Sequence, residues 1–152
     1  MLYGIIIYLI SFFVISNQDF FKINADSENK YKNLNLSAEQ SKMYGQKIQK
    51  FMNENNPHLN ADFNLTQLSE STVIPTHLLS YVFNETFELK FTDSVNKKRI
   101  VEAKIQLHDK KNDHLKIASV AHSVGFNSLS AFNSDFRKFA GSTPSRFKEE
   151  AN

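Results

Sequence analysis

Two sets of side chains, polar except for one leucine, are spaced to line one outward strip of a helix each. Thr76, His77, Ser80, Tyr81 and Asn84 form the first. Asn127, Ser128, Leu129, Ser130, Asn133 and Ser134 form the second, followed by Arg137 and Lys138. An asparagine amide can meet adenine through two hydrogen bonds, whereas serine and threonine read base edges less discriminately. The two cations suit phosphate oxygens. Any one of these residues alone reads as part of a solvated polar face; their repetition on two helices is what suggests recognition. Bond-making chemistry has no comparable support. There is no Gly-rich phosphate loop, Gly-x-Ser-x-Gly elbow or credible catalytic dyad, so no catalytic residue is assigned. His108 and His114 flank Asp109 and Asp113, a spacing that fits no established metal-ligand pattern and reads better as a charged turn. The chain has no cysteine, which excludes disulfides, thiolate zinc sites and cysteine nucleophiles. No metal, cofactor or small-molecule site is expected.

The elements that would carry the second set lie in residues 117–147. Ile117, Val120, Ala121 and Val124 recur at helical spacing, and Gly125 follows where a helix end needs positive φ. Phe126 resumes the apolar pattern, and Asn127 or Ser128 can cap a new helix. Phe132, Phe136 and Phe139 give that helix one apolar face. Gly141 ends it, and Thr143 caps a last helix with Pro144 at its first position. Helix, glycine turn, helix is the helix-turn-helix pattern. The run Gly125, Phe126, Ser128, Ser130, Phe132, Phe136, Lys138, Gly141, Thr143, Pro144 and Ser145, with Ala121 before it, resembles the second helix-turn-helix of the AraC-type (AraC/XylS) transcription regulators.

A weaker copy of this unit precedes it. Residues 65–87 predict a short helix carrying Leu68, a turn near Val73, and a helix started by Pro75 that turns Leu78, Leu79, Val82 and Phe83 inward. Leu68 matches Val120 at an offset of 52; Leu79 and Phe83 match Phe132 and Phe136 at 53. This is a duplicated unit whose second copy has one more residue in its turn. Between the copies, residues 91–107 read as a connecting helix with Phe91, Val95, Ile100, Ala103 and Leu107 on one side and Lys97, Lys98, Arg99 and Lys104 elsewhere. Ahead of both, Ser37 with Gln40 looks like a capping box, opening a helix with the apolar stripe Tyr44, Ile48, Phe51 and Met52. The resemblance thus extends over residues 36–148 and implies seven helices. The run from Ile74 to Ser80 and residues 99–104 are similar to a membrane-anchored subgroup. Against the family pattern, Tyr81 stands where a basic or amide residue is usual, Ser134 where arginine is common, Thr72 at a usual core leucine, and Glu88 where glycine is preferred.

Residues 1–18 carry no charged side chain. At ~1.5 Å per residue they would extend about 27 Å, close to the ~30 Å hydrocarbon core. The expectation is a transmembrane helix over 1–18, a polar linker over 19–36, and a DNA-binding domain over 37–150. Lys22, Lys30 and Lys32 follow the span and no cation precedes it, which places the domain on the cytoplasmic side of the inner membrane. The net charge is only +2, so DNA affinity must come from the placement of charge.

The sequence therefore predicts an all-α chain in which a connecting helix joins two helix-turn-helix subdomains behind one N-terminal transmembrane helix. Its expected role is a membrane-tethered transcription regulator using two recognition helices on double-stranded promoter DNA, with RNA polymerase a further candidate partner. The alternative is a membrane-anchored protein-interaction module on a decayed scaffold, which the low charge, Tyr81, Ser134 and Glu88 favour.

Overall fold

The computed structural model describes residues 36–150, and every regular element among them is helical. Helix α1 (Ala38–Asn55) buries Gly45, Ile48 and Met52 along one side, as an amphipathic helix set on a core must. Asn56, in the left-handed region, and Pro57 then lead into a 3-10 turn, Pro57–Leu59. Helix α2 (Leu65–Thr72) opens on a reciprocal cap. The Gln67 N–H donates to Asn64 Oδ1 at 3.1 Å, and the Asn64 N–H donates to Gln67 Oε1 at 3.3 Å. Helix α3 (Thr76–Glu85) follows a short turn, and α4 (Phe91–His108) is the long connector. A second 3-10 turn (Lys110–Asn112) leads to α5 (Ile117–Ser123), α6 (Leu129–Ala140) and α7 (Pro144–Glu150).

Two apolar clusters fill this arrangement. One holds Ile48, Met52, Leu68, Ile74, Leu79, Val82, Phe83 and Val95. The other holds Ile100, Ala103, Leu107, Val120, Ala121, Val124, Phe126, Phe132 and Phe136. Helix α4 supplies Val95 to the first and Ile100, Ala103 and Leu107 to the second, so one helix carries both cores. Phenylalanine does much of the packing. Phe126, Phe132, Phe136 and Phe147 form a chain of ring contacts 5.3, 5.5 and 5.6 Å apart, in edge-on and tilted geometries that suit the ring quadrupole.

Placing Arg99 among the outward cations of the connector needs correction. Its side chain lies at the seam between the two clusters and is only 8% exposed. It follows Val95 by four residues and precedes Ala103 by four, which puts it on the buried strip. The transmembrane expectation is not borne out: the span over 1–18 lies outside the described residues, and among the described residues no helix is long and apolar enough to cross a membrane.

The two copies end their helices with the same backbone and different residues. Val73 (φ 53°) ends α2 where Gly125 (φ 94°) follows α5. Glu88 (φ 52°) follows α3 where Gly141 (φ 75°) ends α6. In both copies an amide five residues on closes the first turn, Ile74 N–H to Ser69 O at 3.3 Å and Phe126 N–H to Ala121 O at 3.0 Å. The next side chain, Ile74 or Phe126, can then drop into its core. A β-branched residue at positive φ is a real outlier, and strain of order 1–3 kcal/mol is expected at such sites. The extra residue of the second turn is Asn127. It stands between Phe126 and Ser128, whereas Pro75 follows Ile74 directly.

The two glycines should respond differently to alanine. A Cβ on Gly125 would lie 2.7 Å from His58 O and 2.9 Å from Leu59 O, both backbone atoms, whereas a Cβ on Gly141 meets nothing within 4 Å. Gly141→Ala is expected to cost about 1 kcal/mol, from backbone conformation alone. Gly125→Ala is expected to cost about 3 kcal/mol or more, because overpacking adds to strain. Urea unfolding of both variants measures this, and equal losses would contradict it.

Candidate nucleic-acid interface

Helix α6 owes its orientation to its inner face. Ser128 caps it, the Ala131 N–H donating to Ser128 Oγ at 3.2 Å, and Phe132 and Phe136 are fully buried. Two polar contacts join α6 to α4. Asn96 Nδ2 donates to Asp135 Oδ2 at 2.7 Å, and Lys138 Nζ pairs with Asp93 Oδ1 at 2.7 Å. The opposite face is left outward. Leu129, Ser130, Asn133, Ser134, Arg137 and Lys138 line a shallow groove along it. Asn133 is half-buried, whereas Leu129, Ser130, Ser134, Arg137 and Lys138 are exposed. Asn127 and Ser128 are exposed in the preceding turn, with the Ser128 hydroxyl already used as the cap.

The two cations of α6 are in different situations. Arg137 is exposed and makes no ion pair among the described residues. Lys138 is held by Asp93 and lies 5.0 Å from the centre of the Phe139 ring, so it would have to leave a carboxylate to meet a phosphate. On α3, Thr76, His77 and Asn84 are exposed and Ser80 is half-buried. Tyr81 is half-buried as well and packs against the first cluster, which limits what its ring can offer to a partner. Thr72 is buried with its hydroxyl donating to Leu68 O at 2.6 Å, so the polar atom at this core position is satisfied.

Sequence reasoning missed the residues that hold α6 in place. Arg99 Nη1 donates to Asn96 Oδ1 at 3.1 Å, Nε to His58 O at 2.7 Å and Nη2 to Asn60 O at 2.9 Å. The guanidinium carbon also stands 5.5 Å from the centre of the Phe126 ring. Hydrogen bonds therefore run from Asp135 on α6 through Asn96 and Arg99 on α4 to the carbonyls of residues 58 and 60. Burial lowers the Arg99 pKa from its ordinary value and Asp135 opposes this; the side chain remains a cation. The four-residue spacing of Val95, Arg99 and Ala103 was the signal that could have found it.

A family model described as a helix-turn-helix domain matches residues 68–150, more than half of the chain. The chain belongs to the helix-turn-helix domain family. This corrects the narrower AraC-type assignment: the matching family is the helix-turn-helix domain at large, and like structures include C-terminal domains of response regulators. The C-terminal domain of the two-component response regulator yesN from Fusobacterium nucleatum is 28% identical. That likeness covers 69% of this chain and 97% of the other, with a TM-score of 0.58. A Listeria innocua protein of unknown function is 24% identical over 69% of this chain and 94% of its own, with a TM-score of 0.59. A DNA-binding transcriptional dual regulator from Escherichia coli K-12 is 22% identical over 69% and 88%, with a TM-score of 0.58. No curated protein matches the chain. In this helix-turn-helix domain the outward helix of the α5–α6 unit is fastened to the connector by a buried aromatic face and a polar relay.

Arg99→Lys tests that relay. Lysine keeps the charge but not the planar fork of donors, so at least one carbonyl of residues 58 and 60 loses its partner. A loss of about 1–3 kcal/mol in unfolding free energy is expected. Wild-type stability in the Arg99→Lys protein would mean that charge alone suffices.

Proposed function

We propose that the chain is a sequence-specific DNA-binding transcription regulator that sets α6 into a major groove of promoter DNA. The outward face of α6, anchored behind by Phe132, Phe136 and Asp135, is the observation that carries this reading. In it Ser130, Asn133, Ser134 and the apolar Leu129 meet base edges, with Asn127 and Ser128 at the turn. Arg137 reaches phosphate directly, and Lys138 does so after leaving Asp93. Helix α3 presents Thr76, His77, Ser80 and Asn84 to an adjacent groove, about 34 Å along the duplex, with Tyr81 at its edge. Membership of the helix-turn-helix family supports the reading, as does likeness in fold to a DNA-binding regulator from E. coli.

Gel shift with selected promoter DNA against random DNA, at about 0.15 M salt, is the direct test; specific binding should be tighter by about a thousandfold or more. Asn127→Ala should cost about 1–3 kcal/mol at one base position only. Arg137→Ala should weaken all sequences alike and reduce the salt slope by about 1. Lys138→Ala should do less, because its ammonium is already paired, and Asp93→Ala should strengthen binding by releasing it. No preference over random DNA, with no salt dependence, would select a protein-interaction module instead.

A further inference from the structure

His58 occupies the 3-10 turn between α1 and α2 and is 2% exposed. Among the described residues neither of its ring nitrogens has a hydrogen-bond partner. Its backbone is in the opposite state. The His58 carbonyl accepts from Arg99 Nε at 2.7 Å and lies 2.7 Å from where a Cβ on Gly125 would stand. One residue thus carries a buried imidazole and the acceptor through which the first half of the domain holds Arg99 of α4, with the turn at Gly125 close beside it.

A buried imidazole without acceptors is tolerable only when neutral, because an unpaired charge in such a place costs far more than an unpaired neutral group. The charged groups that act on it belong to α4. Lys98 and Arg99 repel an imidazolium, and Glu102 attracts one. Burial first, then Lys98, holds the imidazole pKa below the usual histidine range; Glu102 offsets part of this and Arg99 adds to it. We propose that His58 is a proton-operated latch: protonation of its ring drives the Pro57–Leu59 turn off α4, withdraws the His58 carbonyl from Arg99, and uncouples the α5–α6 unit from the first half of the domain. Neither ring nitrogen has an acceptor within hydrogen-bond distance among the described residues, so a second N–H is satisfied only if the turn moves.

The sign of the pH effect follows from linkage. The folded-state pKa lies below the unfolded value of about 6.5, so stability is full above that pH and falls as the solution is acidified. The unfolding constant should rise by up to about tenfold per pH unit below about 6.5. In addition, and resting on the DNA-binding reading, two helices that must meet DNA together lose affinity once the latch opens.

The test uses the full chain as wild type, His58→Phe and His58→Gln, with urea unfolding between about pH 5 and 8. NMR titration of the His58 imidazole accompanies it. Wild type should show the acid slope and His58→Phe should lack it, while the His58 ring titrates below the usual histidine range. An unchanged slope in His58→Phe, or a His58 ring that titrates within the usual histidine range, overturns the latch. If neither variant folds, the wild-type titration decides by itself. The ratio of wild-type to His58→Phe DNA affinity should fall between about pH 7.5 and 5.5; His77 acts equally in both proteins and cancels. A constant ratio overturns the link to DNA. Absence of DNA binding at neutral pH defeats the DNA-binding reading instead, and unfolding and NMR still decide the latch.

Discussion

A single buried cation joins the two halves of this domain. Arg99 lies where α4 passes from one apolar cluster to the other, between Val95 and Ile100. Its guanidinium takes two backbone carbonyls from residues 58 and 60 and one side-chain oxygen from Asn96. Charged donors make stronger hydrogen bonds than neutral ones, and removing this one would strand acceptors that water cannot easily reach. Gly125 belongs to the same junction. Its lack of a Cβ lets the turn of the second unit come up against the carbonyls of His58 and Leu59. The position of α6 thus depends on a contact made far from it in sequence.

The two copies of the unit share a topology but differ in backbone cost. Glycine occupies both positive-φ positions of the second copy, while valine and glutamate occupy those of the first. The first copy therefore stores strain at both ends of its outward helix, at Val73 before α3 and Glu88 after it. Local opening is drawn from such weakly stabilised segments. The second copy combines unstrained turns, a chain of phenylalanine contacts and two polar links to α4, which is what a preorganised recognition surface requires.

Charge is used sparingly on the outward face because much of it is employed within the fold. Lys148 Nζ donates to the carbonyls of Asp113 and Leu115, Lys98 to Asn53, and Lys104 lies over the Phe147 ring. Arg146 pairs with Glu150 along α7. These cations are held by partners within the fold, whereas Arg137 is exposed and makes no ion pair among the described residues. Ion pairs as exposed as Lys138 with Asp93 contribute little to stability, so a phosphate could compete for Lys138 at small cost.

Local rules settled much of this in advance. The apolar spacing of Val120, Ala121, Val124, Phe132 and Phe136, the glycine turn at Gly125 and the cap at Thr143 with Pro144 depend on neighbours a few residues away, and the sequence alone specifies them. The repeat was legible in the same way, and of the outward side chains named along α6 all are exposed except the half-buried Asn133. The family was legible only as a helix-turn-helix domain, because that pattern encodes a packing arrangement shared beyond any one group of regulators. What lay hidden was decided by partners distant in sequence. Arg99 looked like a solvated cation until residues 58 and 60 were folded onto it, 41 and 39 positions away. Lys138 looked free until Asp93 came within 2.7 Å across 45 positions. His58 gave no sign of burial, because nothing in its own turn demands it. Hydrophobic periodicity specifies which face turns inward, but only tertiary packing decides which polar group that face meets, and so whether a charge is exposed, paired or buried.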